Sequence, residues 1–261
     1  MSTPVREDDQ PAGADLPASL RLATAAASAA SPAGEQRTVA WDFPAPPQDI
    51  VDAVRTAYGL RVVEDRSAPD PRSLPAFATL AAHARSEQVI RTLARRTNLA
   101  LPAADALVIG DGTLATTIAR ALRHGGTRVR RGVLDPVAAL RSHLDGEQRA
   151  VAPWTGADLV VVTGEGHQPV DPSTLRGVLI DASVSGTGTG DVGTRGEVVR
   201  PFVRRLGPGS WIVDAPEVHA SASGPSRITD ALIALSVLVG PVTDAEARRA
   251  ADLRLAELVL S

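Results

Sequence analysis

The sequence predicts an α/β protein in which a small α-rich lobe precedes a doubly wound parallel sheet. Two observations lead to this fold class. From Ala104 onward, short apolar segments alternate with amphipathic ones, a pattern typical of parallel strands joined by helices. One of the apolar segments runs directly into a glycine-rich turn at Gly110. The 261 residues are enough for one large domain or two small ones.

The first part of the chain is predicted to contain a tail and a small lobe. Residues 1–38 are rich in Ala, Ser, Pro, Gly and acidic residues, and we expect a disordered tail there, in which a transient helix is an open alternative. Residues 39–99 are expected to form the small N-terminal lobe. Its elements are a helix over Asp49–Tyr58, a strand over Leu60–Val63, and one long or two shorter helices over Leu74–Arg96.

Residues 100–261 are predicted to form the sheet domain. The expected strands are Ala106–Ile109, Arg128–Val133, Leu159–Val162, Val178–Asp181 and Trp211–Asp214. The expected helices are Thr113–His124, Pro136–Leu144, Pro172–Leu175, Ile228–Val239 and Asp244–Leu258. The last helix has an apolar face that fits either its own sheet or a second copy of the chain, so a homodimer is one open expectation.

The strand Ala106–Ile109 leads into the pattern G-x-G-x-x-A, which is formed by Gly110, Gly112 and Ala115. In a Rossmann-like sheet, the first glycine permits the tight turn and the second lets a pyrophosphate approach the backbone. The following helix then presents its N-terminal N–H groups to phosphate oxygens. The alternative is a tight turn without a ligand. We predict dinucleotide contacts at Gly110, Asp111, Gly112, Thr113, Leu114 and Ala115.

The segment after the second strand bears on the choice of cofactor. An NAD site usually has an acidic residue about 20 residues past the turn, bonded to the ribose 2′-hydroxyl. The first acid here is Asp135, slightly later than that, and Arg130 and Arg131 precede it. Asp135 reaching the ribose would favour NAD, and Arg131 holding a 2′-phosphate would favour NADP. We predict NAD, with NADP as the alternative. Asp135 also fits a plain N-cap, and the arginines also fit a solvated strand end.

Residues from Arg95 to about Asp181 resemble the NAD-binding domain of S-adenosylhomocysteine hydrolase. The resemblance rests on four segments: Arg95–Asn98, Val108–Gly112, Leu134–Leu140 and Val162–Glu165. It implies a Rossmann-like domain that holds NAD, with Thr163 and Gly164 in the cofactor site. The chain also departs from the family. The family's ribose-binding acid corresponds to Val133, its asparagine after T-G corresponds to Glu165, and its substrate-domain lysine and aspartate have no counterparts.

Two functions therefore remain open. The first is an NAD(P)-dependent oxidoreductase acting on a small metabolite, which the glycine turn favours. The second is a non-catalytic relative of the hydrolase with a binding or regulatory role, which the missing family residues favour. We adopt the first as the working prediction. His167, in the loop after the strand Leu159–Val162, is the catalytic candidate, and a surface histidine is the alternative.

Composition excludes several kinds of site. The chain has neither cysteine nor lysine, so thiolate nucleophiles, Schiff-base lysines and Walker-type lysines are absent. The formal net charge is -3 without a basic run, so we predict no nucleic-acid partner. Apolar runs fall short of the roughly 20 residues that span a bilayer, so we predict no membrane partner and a cytoplasmic protein. The histidine spacing predicts no metal site.

Overall fold

The computed structural model describes residues 20–29, 36–150, 156–166, 176–186, 188–189, 196–220, 226–240 and 244–261. Its main sheet has eight strands: β3 (Asp105–Ile109), β4 (Arg128–Gly132), β5 (Gln148–Ala150), β6 (Leu159–Val162), β7 (Gly177–Asp181), β8 (Glu197–Arg200), β9 (Val203–Gly207) and β10 (Ser210–Val213). Helices α4 (Thr113–His124) and α5 (Pro136–Leu144) follow β3 and β4.

The strand order of this sheet is β5-β4-β3-β6-β7-β10-β9-β8. The strands from β5 to β10 in this order pair in parallel, and the β8–β9 hairpin adds two antiparallel strands at one edge. The parallel part reproduces the doubly wound Rossmann order, in which β3 and β6 lie side by side at the switch point. The predicted Rossmann-like α/β fold is thus confirmed.

The first lobe contains a parallel pair of strands, β1 (Arg37–Trp41) and β2 (Leu60–Glu64), connected through α2 (Gln48–Tyr58). Helix α2 buries Ile50, Val51 and Val54, which recur on one face at helical spacing. A single long helix, α3 (Pro75–Arg96), then leads to the main sheet, so the predicted alternative of two shorter helices is wrong.

Helix α1 (Arg21–Ala29) lies within the segment that the sequence predicted as a disordered tail, and for these residues that prediction is wrong. Ala23 and Ala26 are fully buried in the core of the first lobe, and α1 packs against α6 (Arg227–Val239). Alanine contributes little apolar area, so the segment carried no clear apolar periodicity. Its small side chains allow close helix packing, which only the folded lobe makes visible.

The C-terminal helices return to the first lobe. Helix α6 and helix α7 (Ala245–Leu260) share one apolar core with β1, β2 and α2, through residues that include Ile228, Leu232 and Leu255. The division of the chain into 39–99 and 100–261 therefore stays a prediction. Residues from both segments form the core of the first lobe. Within the described residues, no helix combines the length and the apolar composition that a membrane crossing requires.

Two helices begin without a cap from their own segment and receive a carboxylate from a distant one. Asp252 of α7 accepts hydrogen bonds from the N–H groups of Phe77 and Ala76, both at 2.9 Å. Asp230 of α6 accepts from Ala23 at 2.9 Å and Leu22 at 3.0 Å. Burial raises the pKa of Asp230, although these backbone donors oppose the shift. A carboxylate across two first-turn N–H groups is therefore a repeated device of this fold.

Candidate functional site

The glycine turn after β3 has the tight geometry that the sequence predicts. Gly110 has a φ of 150°, in a region that favours glycine, and its N–H donates to the carbonyl of Gly132 at 3.0 Å. A Cβ at Gly110 would lie 2.0 Å from the Thr163 hydroxyl oxygen. The first glycine is thus required by the turn and by the close approach of the loop after β6, whether or not a ligand binds.

The first turn of α4 is occupied by the side chain of Glu165. Its Oε1 accepts from the N–H of Leu114 at 3.0 Å and its Oε2 accepts from the N–H of Ala115 at 2.9 Å. The Thr163 Oγ1 lies 3.2 Å from the same Oε2. A Cβ at Gly112 would lie 2.4 Å from Glu165 Oε1, so the space left by this glycine is filled by the carboxylate.

This arrangement overturns the expectation that α4 opens with bare backbone toward a pyrophosphate. Gly112 provides no side-chain cap, and Glu165 supplies the anion that the N-terminus of the helix attracts. The same geometry is seen where Asp230 of α6 accepts from the first turn of α1 and where Asp252 of α7 accepts from the first turn of α3. The proposed dinucleotide contacts at Gly110–Ala115 therefore stay a prediction whose geometric premise is not met.

The end of β4, where a ribose would bind, is also occupied by protein groups. Asp111 Oδ1 accepts from the N–H of Leu134 at 2.9 Å, and its Oδ2 accepts from the N–H of Asp135 at 3.3 Å. Asp135 caps α5 by accepting from the N–H of Ala138 at 2.7 Å, as in the N-cap alternative that the sequence left open. Both carboxylates lie near the place where a 2′-phosphate of NADP would carry its charge.

Arg131 supports the glycine turn from within the protein. It is buried, its Nη2 donates to the carbonyl of Gly110 at 2.9 Å, and its Nη1 lies 3.2 Å from Glu147 Oε2. Burial lowers the pKa of Arg131, and the Glu147 charge opposes that shift. The guanidinium thus lies inside the protein, so the alternative of a solvated strand end is wrong for Arg131, and its contact with a 2′-phosphate stays a prediction. Arg130 is half-buried and donates to the carbonyl of Gly156.

The turn after β6 packs against its neighbours. The hydroxyl of Thr163 donates to the carbonyl of Ile109 at 3.1 Å, which ties this turn to the end of β3. Gly164 lies against Ser183, because a Cβ there would be 2.7 Å from the serine Cβ. Thr163 thus lies at the glycine turn and Gly164 lies beside Ser183, and their contacts with a cofactor stay a prediction. The catalytic candidate His167 lies outside the described residues.

A cavity of about 450 Å³ lies at the carboxyl ends of β7 and β10 and extends to the first lobe. We call it the inter-lobe cavity. Its polar and charged lining residues include Arg85, Asp181, Thr189, Arg204, Asp214, Glu217 and His219. The sequence does not single out Arg85, because nothing in an amphipathic helix marks one arginine as buried. Across the described residues, no group of three or more His, Asp or Glu side chains could hold a metal ion.

Arg85 of α3 lies in the wall of the inter-lobe cavity and holds two of its segments. It is buried, and it donates to the carbonyls of Ala182 at 3.0 Å, Ser183 at 3.1 Å and Pro216 at 2.5 Å. Burial lowers its pKa to about 10, while the charge of Asp181 acts in the opposite direction. Because its donors go to carbonyls of the segments after β7 and β10, Arg85 positions these segments against α3.

Carboxylates shape the other walls of the inter-lobe cavity. Asp181 accepts from the N–H of Ser183 and from the N–H and hydroxyl of Thr189, at 2.9, 2.9 and 3.1 Å. Asp181 thus anchors Thr189 beside the end of β7. Arg204 lies 2.5 Å from Asp214, whose side chain stays 39% exposed. The cavity therefore offers a partly solvated carboxylate with hydrogen-bonding capacity for a ligand.

His219 connects the segment after β10 to the first lobe. Its Nε2 lies 2.8 Å from the carbonyl of Pro44, and its Nδ1 lies 3.0 Å from the hydroxyl of Thr229. A carbonyl only accepts, so Nε2 carries the proton and Nδ1 accepts from the hydroxyl in the neutral ring. Burial lowers the pKa of His219, with the Pro44 carbonyl and Glu217 acting in the opposite direction.

This shift makes stability depend on pH. A histidine whose pKa is lower in the folded state stabilises the fold above its unfolded pKa, and that contribution is lost as pH falls through the folded pKa. We expect the free energy of unfolding, measured with urea, to fall between pH 7 and pH 5. The decrease should be about 1.4 kcal/mol for each unit by which folding lowers the pKa of His219 within this pH range. His219→Gln should flatten this dependence, and His143→Gln, on an exposed face of α5, should not. Equal slopes in the two variants would contradict the assignment.

No family model and no curated protein matches the chain. Similar solved structures include a dipicolinate synthase polypeptide from Bacillus halodurans, with 14% identity and a TM-score of 0.47 over 85% of this chain and 66% of that one. A transhydrogenase from Sinorhizobium meliloti has 18% identity and a TM-score of 0.45 over 85% and 70%. A dipicolinate synthase polypeptide from Bacillus subtilis has 12% identity and a TM-score of 0.43 over 84% and 65%.

The chain thus spans about two thirds of the length of each of these structures. Identities this low do not transfer a ligand or an activity. None of the three is an S-adenosylhomocysteine hydrolase, so the resemblance to that family stays a prediction. By its own strand order and glycine turn, the chain is an α/β protein of Rossmann type.

Proposed function

We propose that the chain is a Rossmann-type binding protein without nicotinamide redox activity, and that its small-molecule ligand binds in the inter-lobe cavity. The observation that carries the proposal is the Glu165 carboxylate on the N–H groups of Leu114 and Ala115. This is the second of the two functions that the sequence left open, a binding or regulatory role. Glu165 places a carboxylate where the pyrophosphate of a dinucleotide would bind to α4.

The energetics of displacement support this proposal. A pyrophosphate at α4 would have to replace two hydrogen bonds to a charged acceptor, each contributing about 1.5 to 3 kcal/mol. That loss of about 3 to 6 kcal/mol corresponds to a roughly 10² to 10⁴-fold weaker affinity. The carboxylate of Asp111 beside the turn adds repulsion toward a second anion.

The inter-lobe cavity has the features of a small-molecule site. Its volume of about 450 Å³ lies within the usual range for ligand pockets. Asp181, Asp214 and Glu217 outnumber the arginines in its lining, and Arg85 already donates to three backbone carbonyls. A polar ligand with hydrogen-bond donors or a positive charge fits this lining best. Because the cavity touches both lobes, such a ligand would couple their relative arrangement to binding.

The second candidate function is an NAD(P)-dependent oxidoreductase acting on a small metabolite. The parallel strand order and the tight turn at Gly110 favour it, since both belong to dinucleotide-binding sheets. This function requires Glu165 to leave α4. Among the two cofactors it favours NAD, because Asp111 and Asp135 would repel the 2′-phosphate of NADP and Arg131 is buried.

The two functions are separated by thermal-shift titration of the wild type and Glu165→Ala with NAD⁺, NADH, NADP⁺ and NADPH. A ligand at 100 times its dissociation constant adds about 2.7 kcal/mol of stability. We expect no shift for the wild type at millimolar concentrations. Glu165→Ala should melt lower without ligand and gain a shift with NAD⁺ or NADH. Glu197→Ala, an exposed glutamate that pairs with Arg205, is the control and should behave like the wild type.

Micromolar binding by the wild type that Gly112→Val abolishes would overturn the proposal and establish the second candidate. In the same assay, a panel of polar metabolites should contain a stabiliser of the wild type. Asp214→Asn should weaken the binding of that ligand. Added to Glu165→Ala, it should leave the thermal shift with NAD⁺ unchanged. A stabiliser that Asp214→Asn does not affect would place the ligand elsewhere.

A further inference from the structure

A second cavity lies on the α3 side of the main sheet, beside the end of that helix. It encloses about 460 Å³ and is lined by Arg96, Thr97, Asn98, Val178, Val199, Arg200, Val203, Trp211 and Val213. We call it the valine groove. Leu93, one turn before the end of α3, still packs in the core under the helix, and the groove begins where the helix stops at Arg96. Nothing in the proposed function depends on this groove.

The lining of the groove is apolar except at one rim. Val178, Val203, Trp211 and Val213 come from three adjacent strands, β7, β9 and β10. The size falls within the usual range for small-molecule pockets, whose walls are mostly apolar with few polar groups. An apolar body would bury this surface with a gain of roughly 25 cal/mol for each Å² removed from water.

The rim carries two positive charges. The Arg96 guanidinium lies 4.5 Å from the centre of the Phe202 ring, and Arg200 donates to the Arg96 carbonyl. In the part of the chain with described positions, neither guanidinium has a carboxylate within ion-pair distance. The groove thus combines an apolar interior with two guanidinium groups at one end, which is complementary to an amphipathic anion.

The hairpin at this rim holds a strained backbone. Phe202 has a φ of 65°, which costs a bulky residue about 1 to 2 kcal/mol, and its side chain is 53% exposed. Its carbonyl accepts from the N–H of Asp214 at 2.9 Å, so the conformation is held by the neighbouring segment. Residues 201 and 202 form the two-residue turn between β8 and β9, where a positive φ is common. Here it places the ring that Arg96 covers.

We propose that the valine groove binds an apolar carboxylate of medium chain length. The hydrocarbon lies along the valines and Trp211, and the carboxylate lies between Arg96 and Arg200. Binding removes apolar surface from water and compensates both guanidinium charges. The indole of Trp211 in the lining provides a direct spectroscopic report of occupancy.

The test is a titration of tryptophan fluorescence with decanoate, decanol and decylamine, each below its aggregation threshold. We expect decanoate to change the emission saturably, and the neutral and cationic analogues to bind at least tenfold more weakly. Trp211→Phe should remove the signal while decanoate still raises the melting temperature. Because the three probes differ only in the head group, this comparison holds on the wild type without any variant.

Arg96→Gln with Arg200→Gln should weaken decanoate at least tenfold, and Arg95→Gln, on the adjacent residue of α3, should not. Equal affinity for decanol, no binding, or an equal effect of Arg95→Gln would overturn the proposal. A dimer that decanoate fails to dissociate and that Val199→Asp makes monomeric would also overturn it, because a second copy would then fill the groove. These outcomes leave the dinucleotide assays with Glu165→Ala unaffected, so the two proposals fail separately.

Discussion

Replacing Asp252 by alanine is expected to lower the free energy of unfolding by about 3 to 5 kcal/mol. The carboxylate is 3% exposed and holds the N–H groups of Ala76 and Phe77, where α3 begins without a local cap. Its removal leaves these donors without their charged acceptor and separates α7 from α3 at the same point. Urea unfolding at pH 7 measures the effect.

Asp244→Ala is the matched control, because Asp244 caps α7 from an exposed position and accepts from the N–H of Ala247 at 2.7 Å. An exposed N-cap of this kind contributes typically about 1 kcal/mol. Asp252→Asn should fall between the two, since an amide oxygen accepts while its NH₂ group cannot. If Asp252→Ala costs no more than Asp244→Ala, the contact between α7 and α3 does not stabilise the first lobe as described.

Gly110→Ala is expected to cost about 2 to 6 kcal/mol, as the sum of backbone strain and overpacking. The φ of 150° disfavours any side chain, and a Cβ would lie 2.0 Å from Thr163 Oγ1. Gly146→Ala separates the two contributions. Gly146 has a φ of 70° with nothing within 4 Å of an added Cβ, so its cost of about 1 to 2 kcal/mol reflects strain alone.

A double-mutant cycle isolates the clash. Thr163→Ala removes the hydroxyl that the new methyl group meets, so Gly110→Ala should cost less in that background than in the wild type. Chemical denaturation should show that the double variant loses less stability than the sum of the two single variants, by at least about 1 kcal/mol. Strict additivity would show that the turn after β6 does not approach Gly110 as closely as described.

The sheet was predictable because its signals are local. Helices α4 and α5 begin and end at the predicted residues, since Gly125 follows α4 and Asp135 caps α5. The five predicted strands lie within one residue of the observed bounds. The short strand β5 and the β8–β9 hairpin were missed, because polar residues such as those of Gln148–Ala150 and Glu197–Arg200 carry little apolar alternation.

The site was less predictable because its decisive contact is distant in sequence. Glu165 follows Ala115 by 50 residues, and only the pairing of β3 with β6 brings it to α4. In the sequence it stood out only as a departure from a family asparagine. A usable signal was present, since an acid three residues after the end of β6, the neighbour of β3, lies at the same edge of the sheet as the N-terminus of α4. Arg131 was misjudged for a related reason, because strand alternation alone does not tell which face is buried.

The dependence of the first lobe on α6 and α7 has a consequence for synthesis on the ribosome. Translation at about 5 to 20 residues per second takes on the order of 10 s to travel from Arg96 to Arg227. During that interval α6 and α7 have not been synthesised, so the apolar faces of α1 and α3, which include Phe77, lack the residues that pack against them in the folded core. The nascent chain therefore completes the core of its N-terminal part last.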